Sequence, residues 1–142
     1  MFRIPNITAF FCLQRLLPAR WFHAIRHIRL RWAYMQTGEM WEFLHGYPPY
    51  NASCWSLVWS EISKMRALKH VRVDMVPGST YVYADYEHAL FTPLETAQGS
   101  KVFEVYASWP EHKDLHRQRK TWPFKITRGV EWHFPNQEQT PA

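Results

Sequence analysis

The sequence predicts an α/β fold in which parallel strands alternate with helices that cover one face of the sheet. Three observations carry this reading. First, AIRHIRLRW, ALKHVRVDM and KVFEVYASW share an apolar spacing, set by Ile25, Ile28 and Leu30, by Leu68, Val71 and Val73, and by Val102, Phe103 and Val105. The first two fit L-x-x-L-x-L, the strand signature of leucine-rich repeats. Second, apolar stripes at helical spacing lie between these segments. Third, each segment alternates apolar and polar residues, the mark of a sheet with one covered and one wet face; strands buried on both faces read as unbroken apolar runs. The expected architecture is a short, irregular leucine-rich-repeat-like array with right-handed crossovers.

Each element has its own justification. Ile28, Leu30 and Trp32 point to one side of the first strand, with Arg29 and Arg31 opposite. Val71, Val73 and Met75 stand against Arg72 and Asp74, and Phe103, Val105 and Ala107 against Glu104 and Tyr106. From Ser53 to Leu68, Trp55, Val58, Trp59, Ile62 and Met65 form one helical stripe, with Ser56, Ser60, Ser63 and Lys64 on the other side. Asn51 or Ser53 caps its first turn, and Tyr47, Pro48, Pro49 and Tyr50 must be extended just before it. A second helix, about Ala84 to Ala97, groups Tyr86, Ala89, Leu90 and Leu94; Pro93 should kink or shorten it, and Gly99 ends it. After Pro110, Glu111 to Lys120 reads as an exposed loop. Phe124, Ile126, Val130, Trp132 and Phe134 then form an extra C-terminal strand or hairpin.

One domain over residues 1–134 and a disordered tail over 135–142, PNQEQTPA, account for the 142 residues. With 46% hydrophobic residues, 8 Trp, 7 Tyr and 9 Phe, the chain carries far more apolar material than a disordered protein. Its longest apolar stretch, Ile7 to Leu17, contains Gln14 and Arg15 and falls short of the roughly 18 residues that a membrane span needs. No membrane partner is expected.

Charge is unevenly placed. Arg3, Arg15, Arg20, Arg26, Arg29 and Arg31 all precede the first acid, Glu39, while the rest of the chain is nearly balanced. Such a basic N-terminal third attracts phosphate or an anionic surface, and an Arg-rich, acid-free start also resembles a mitochondrial transit peptide. The simpler explanation is that arginine is the polar partner in an alternating strand. Cys12 and Cys54 sit among apolar neighbours and read as buried free thiols; two cysteines make no disulfide scaffold. A reducing compartment, cytosol or nucleus, is therefore expected.

AIRHIRLRW, WSLVWSEISKMRALKHVRVDMV, EHALFTPLE and KVFEVYASWP together resemble the fungal family catalogued as domain of unknown function 7730, over roughly residues 10 to 130. The resemblance implies a short leucine-rich-repeat array, sometimes preceded by an F-box-like helical segment. On this reading the chain is expected to begin almost at the first strand, without the upstream helices. No activity, cofactor or catalytic residue comes with the resemblance.

The residues themselves give no catalytic constellation. His23 and His27, like His112 and His116, are four apart, but in a strand that spacing separates side chains by about 13 Å, too far to share an ion. EHKDLH lacks the order of a zinc-helix motif. There is no G-x-S-x-G elbow, and 5 glycines provide no phosphate-cradling loop. Asp85 and Glu87 do not face each other on a helix. No enzyme, metal or cofactor is expected. The expected function is a protein-interaction module with an unidentified protein partner, binding through the exposed residues Arg29, Arg31, Arg72, Asp74, Glu104 and Tyr106, which run from positive to negative across the sheet. The alternative is nucleic-acid binding by the basic N-terminal third and the HRQRK loop at 116–120, although Trp32 then lies on the buried face, away from any stacking platform. If the polar face is simply wet, replacing Arg29, Arg31 and Arg72 by serine changes stability little.

Overall fold

The computed structural model describes residues 2–34, 40–46, 51–77, 84–99, 101–109 and 121–129. Its elements are β1 (Phe2–Ile4), α1 (Ile7–Leu16), α2 (Ala19–Phe22), β2 (His27–Tyr34), α3 (Met40–His45), α4 (Ala52–Ser63), β3 (His70–Pro77), α5 (Ala84–Gln98), β4 (Val102–Ala107) and β5 (Lys125–Arg128). The five strands form one sheet in sequence order, β1-β2-β3-β4-β5, and every neighbouring pair is parallel. This is the α/β layout expected from the alternating pattern.

The alternation resolves into two unlike faces. Ile28, Leu30, Trp32, Val71, Val73, Met75, Phe103, Val105 and Ala107 are all buried. The helices lie on that side: Trp32 packs against Trp55 of α4, Phe43 of α3 and Tyr86 of α5, and Trp59 of α4 packs against Phe103 of β4. Ile7 and Phe10 of α1 join the same core. Burying such a side chain contributes roughly 1.5–3 kcal/mol, so the tryptophan stripe of α4 is a main source of stability.

Local signals set the boundaries of the helices. The Asn6 side chain accepts from the Ala9 amide (2.7 Å) and that of Asn51 from the Cys54 amide (2.8 Å), each satisfying a free N–H of a first turn. Asn51 also donates to the Gly46 carbonyl, tying α4 to the end of α3. Helix α4 ends at Ser63, five residues before the sequence-based boundary at Leu68. Met65 and Leu68 remain in the core, but successive turns bring them there, with Met65 donating to Ile62 and Leu68 to Met65. Helix α5 continues through Pro93 without being shortened. Pro93 offers no N–H to the Ala89 carbonyl, and the adjacent Leu90 carbonyl accepts the Trp55 indole N–H at 2.8 Å. Gly99, at φ 51°, follows the helix in the left-handed conformation that favours glycine.

Other expectations are corrected. The chain does not begin almost at the strand AIRHIRLRW: β1, α1 and α2 precede it, and the apolar run from Ile7 forms a core helix. Helix α3 is a further element that the sequence pattern does not announce. Cys12 is exposed and Cys54 half-buried, since the apolar neighbours of Cys12 turn inward on α1 while its own position faces out. The C-terminal segment supplies a parallel strand, β5, with Phe124 buried and Ile126 packed on the core. Val130, Trp132 and Phe134, the loop 111–120, His112 and His116, and the tail 135–142 lie outside the described residues. So do residues 47–50, which were expected to be extended.

Candidate functional site

The sheet face opposite the helices, on which no helix lies among the described residues, carries the polar set. Parallel register puts Arg3, Arg29, Arg72, Glu104 and Lys125 in one row across all five strands, and Arg31, Asp74, Tyr106 and Thr127 in the next. The expected positive-to-negative order across β2, β3 and β4 follows from this register. Lys125 adds a cation beyond Glu104.

Asp74 is the centre of the face. It was expected to be wet but is 7% exposed, the buried charged residue of the described core. Its burial has a local cause: two guanidinium groups fold over it. Arg29 Nε donates to Asp74 Oδ2 at 2.6 Å, and Arg72 Nε donates to Oδ1 at 3.1 Å. Arg29 and Arg72 are direct cross-strand partners, a like-charge pairing that would destabilise the sheet, and the shared carboxylate offsets it. Their side chains keep 37% and 40% of their surface, so each remains open on its outer edge. Arg31, although in register with Asp74, is exposed and forms no ion pair among the described residues; the same holds for Arg3.

Two adjoining depressions meet over β2. One, about 360 Å³, is lined by Arg3, Ile4, Pro5, Arg29, Arg31 and Asp74. The other, about 210 Å³, is lined by Arg29, Arg31, Arg72, Asp74, Val76 and Tyr106. Five of the six residues singled out in the sequence therefore share one depression. Glu104 does not line either; its carboxylate lies 3.2 Å from His70 Nε2, and His70 packs edge-on against His27 with ring centroids 6.1 Å apart. Among the described residues, no group of three or more His, Cys, Asp or Glu side chains is placed to hold a metal ion. Both Asp74 oxygens are engaged by arginine, and the chemistry the face offers is recognition of anions by planar N–H donors.

Sequence reasoning missed Arg3. It belongs to a three-residue strand, too short to show a period, and only pairing with β2 brings it beside Arg29. Sequence reasoning also treated the three arginines as equivalent. The structure separates them: Arg29 and Arg72 are tied to a buried acid, so their replacement is not neutral for folding, whereas Arg31 forms no ion pair among the described residues.

The fold and this face define a parallel α/β protein whose described helices lie on one side of the sheet and whose other side is rich in arginine. The chain belongs to the family described as Domain of unknown function (DUF7730), whose model matches residues 1–122. No curated protein and no solved structure matches the chain. No helix among the described residues is long and apolar enough to cross a membrane.

Proposed function

We propose that the chain is a non-catalytic protein-interaction module that presents its uncovered sheet face to another protein. One observation carries the reading: Arg29, Arg31, Arg72, Asp74 and Tyr106 line a single depression on the face opposite the helices. Arginine and tyrosine are enriched at interface hot spots, because each combines a large contact area with oriented donors. Asp74 fixes two of the guanidinium groups in advance, which lowers the ordering cost of docking.

The test compares proteins retained from lysate by the wild-type domain and by an Arg3→Glu, Arg31→Glu variant, after matching their circular dichroism and melting temperature. Both residues are exposed and unpaired among the described residues, so charge reversal leaves the fold intact. The expected result is loss of a discrete set of retained proteins. Identical profiles overturn the reading. Loss of copurifying nucleic acid alone replaces it with nucleic-acid binding.

A further inference from the structure

The charge balance of the open face names the chemistry of its partner. Arg3, Arg29, Arg31 and Arg72 surround a single acid, Asp74, so the two depressions carry a net positive charge even after the internal ion pairs are formed. Asp74 binds Arg29 and Arg72 through Nε, their side chains are 37% and 40% exposed, and a guanidinium held at Nε has Nη donors to offer an oxyanion. Arg31 stands between the depressions as an unpaired cation among the described residues.

We propose that the ligand of this face is an extended acidic segment of another protein, running along β2 with carboxylates on alternate residues. The inference rests on the interaction reading above and specifies its ligand. Arg29 and Arg31 are two residues apart on β2, a separation of about 6.7 Å, and side chains two apart on an extended peptide repeat at the same distance. A peptide laid along that strand therefore sets successive carboxylates against Arg29 and Arg31, with Arg3 on one flank and Arg72 on the other. The opposite margin of the trough favours a peptide over a nucleic acid. Asp74 sits at its centre, Glu104 stands on the neighbouring strand, and Trp32 is fully buried, leaving Tyr106 as the aromatic that lines the depression. A nucleic-acid strand would gain no row of stacking rings here.

Fluorescence polarisation with three labelled probes tests this: a ten-residue peptide alternating Glu and Ser, the same peptide with Gln for Glu, and a ten-nucleotide single-stranded DNA. The protein is the full chain, wild type or carrying Arg31→Ser, Arg3→Ser or Arg20→Ser. Arg20 is an exposed arginine on α2, outside both depressions, and controls for net charge. The Glu peptide is expected to bind at least tenfold more tightly than the Gln peptide and the DNA. Arg31→Ser should weaken it about tenfold or more, Arg3→Ser less, and Arg20→Ser very little. Equal binding of the Glu and Gln peptides, tighter binding of the DNA, or equal effects of Arg31→Ser and Arg20→Ser overturns the inference. If the peptide fails while the lysate partners still depend on Arg3 and Arg31, the ligand class alone is wrong. If the lysate profiles are also insensitive, the interaction reading falls with it.

Discussion

Arg29 Nε donates to Asp74 Oδ2 across 2.6 Å from two residues away in the register, although Arg31 occupies the position paired directly with Asp74. This diagonal bond, with its counterpart from Arg72, converts a wet-face acid into a buried one. It also divides the arginines of the face into a fixed pair and two, Arg3 and Arg31, that form no ion pair among the described residues.

The division predicts unequal stability effects. Arg29→Ser with Arg72→Ser leaves the Asp74 carboxylate, 10% exposed in its side chain, without either donor. Breaking a fully buried pair costs about 3–5 kcal/mol and an exposed one about 0.2–1 kcal/mol; with half-exposed arginines the double variant should lose about 2 kcal/mol. Adding Asp74→Ser should restore much of that loss, whereas Arg31→Ser alone should stay within about 0.5 kcal/mol of wild type. Denaturant titrations check all three, and equal stability of the Arg29/Arg72 double variant and Arg31→Ser would contradict the bonding described.

The tryptophans of α4 make a second contrast. Trp59, 1% exposed, packs on Trp55 and Phe103, and Trp59→Ala should cost about 3–5 kcal/mol through the cavity it leaves. Replacement by phenylalanine separates packing from hydrogen bonding. The Trp55 indole donates to the Leu90 carbonyl, whereas the buried Trp59 indole nitrogen has no hydrogen-bond partner among the described residues. Trp55→Phe should therefore lose about 1 kcal/mol more than Trp59→Phe. Urea midpoints for the two variants give the difference, and a larger loss for Trp59→Phe would refute the α4–α5 bond.

The strands β2, β3 and β4 were legible because five or six residues of alternation in each leave one choice of inward face. Ile28, Leu30 and Trp32 could not be buried without turning Arg29 and Arg31 outward. Helix α4 was legible in its stripe but not in its end, since Met65 and Leu68 keep apolar spacing after the backbone has left the helix. Strand β1 was hidden because Phe2, Arg3 and Ile4 contain a single alternation. The state of Asp74 was also hidden: alternation assigns a residue to a face, while burial there depends on which long side chains of adjacent strands fold over it. Thus five of the six residues proposed from sequence share a depression, but their pairing, and the place of Arg3 beside them, required the register.

Gly129 closes the far end of the sheet. Its N–H donates to the Ala107 carbonyl at 2.7 Å, and a Cβ at this position would run into the Ser108 backbone carbonyl. Since that obstacle is backbone, Gly129→Ala must push β5 away from β4. A loss of about 1–3 kcal/mol is expected, with faster amide exchange confined to β5 at moderate denaturant. Unchanged exchange in Lys125–Arg128 would show that the close approach is absent.

Glu87 of α5 anchors the same strand from the core side. Its Oε1 accepts from the Trp109 indole at 2.8 Å and from Arg128 Nη1. The Glu87 and Arg128 side chains are 14% and 19% exposed. Glu87→Ala strips both donors and should destabilise by about 2 kcal/mol, while Glu87→Gln, which keeps the acceptor and loses the charge, should cost less. Melting curves of the two variants rank them, and an equal loss would assign the effect to packing alone.

The central claim is that the sheet face opposite the helices is where a partner sits. Arginine-specific labelling with phenylglyoxal, read by mass spectrometry with and without the partner protein retained by the wild-type domain, tests it most directly. Arg3 and Arg31 should lose reactivity in the complex, while Arg20, exposed on α2 and outside both depressions, should keep it. Protection of Arg20 with Arg3 and Arg31 still reactive would place the partner elsewhere and contradict the account.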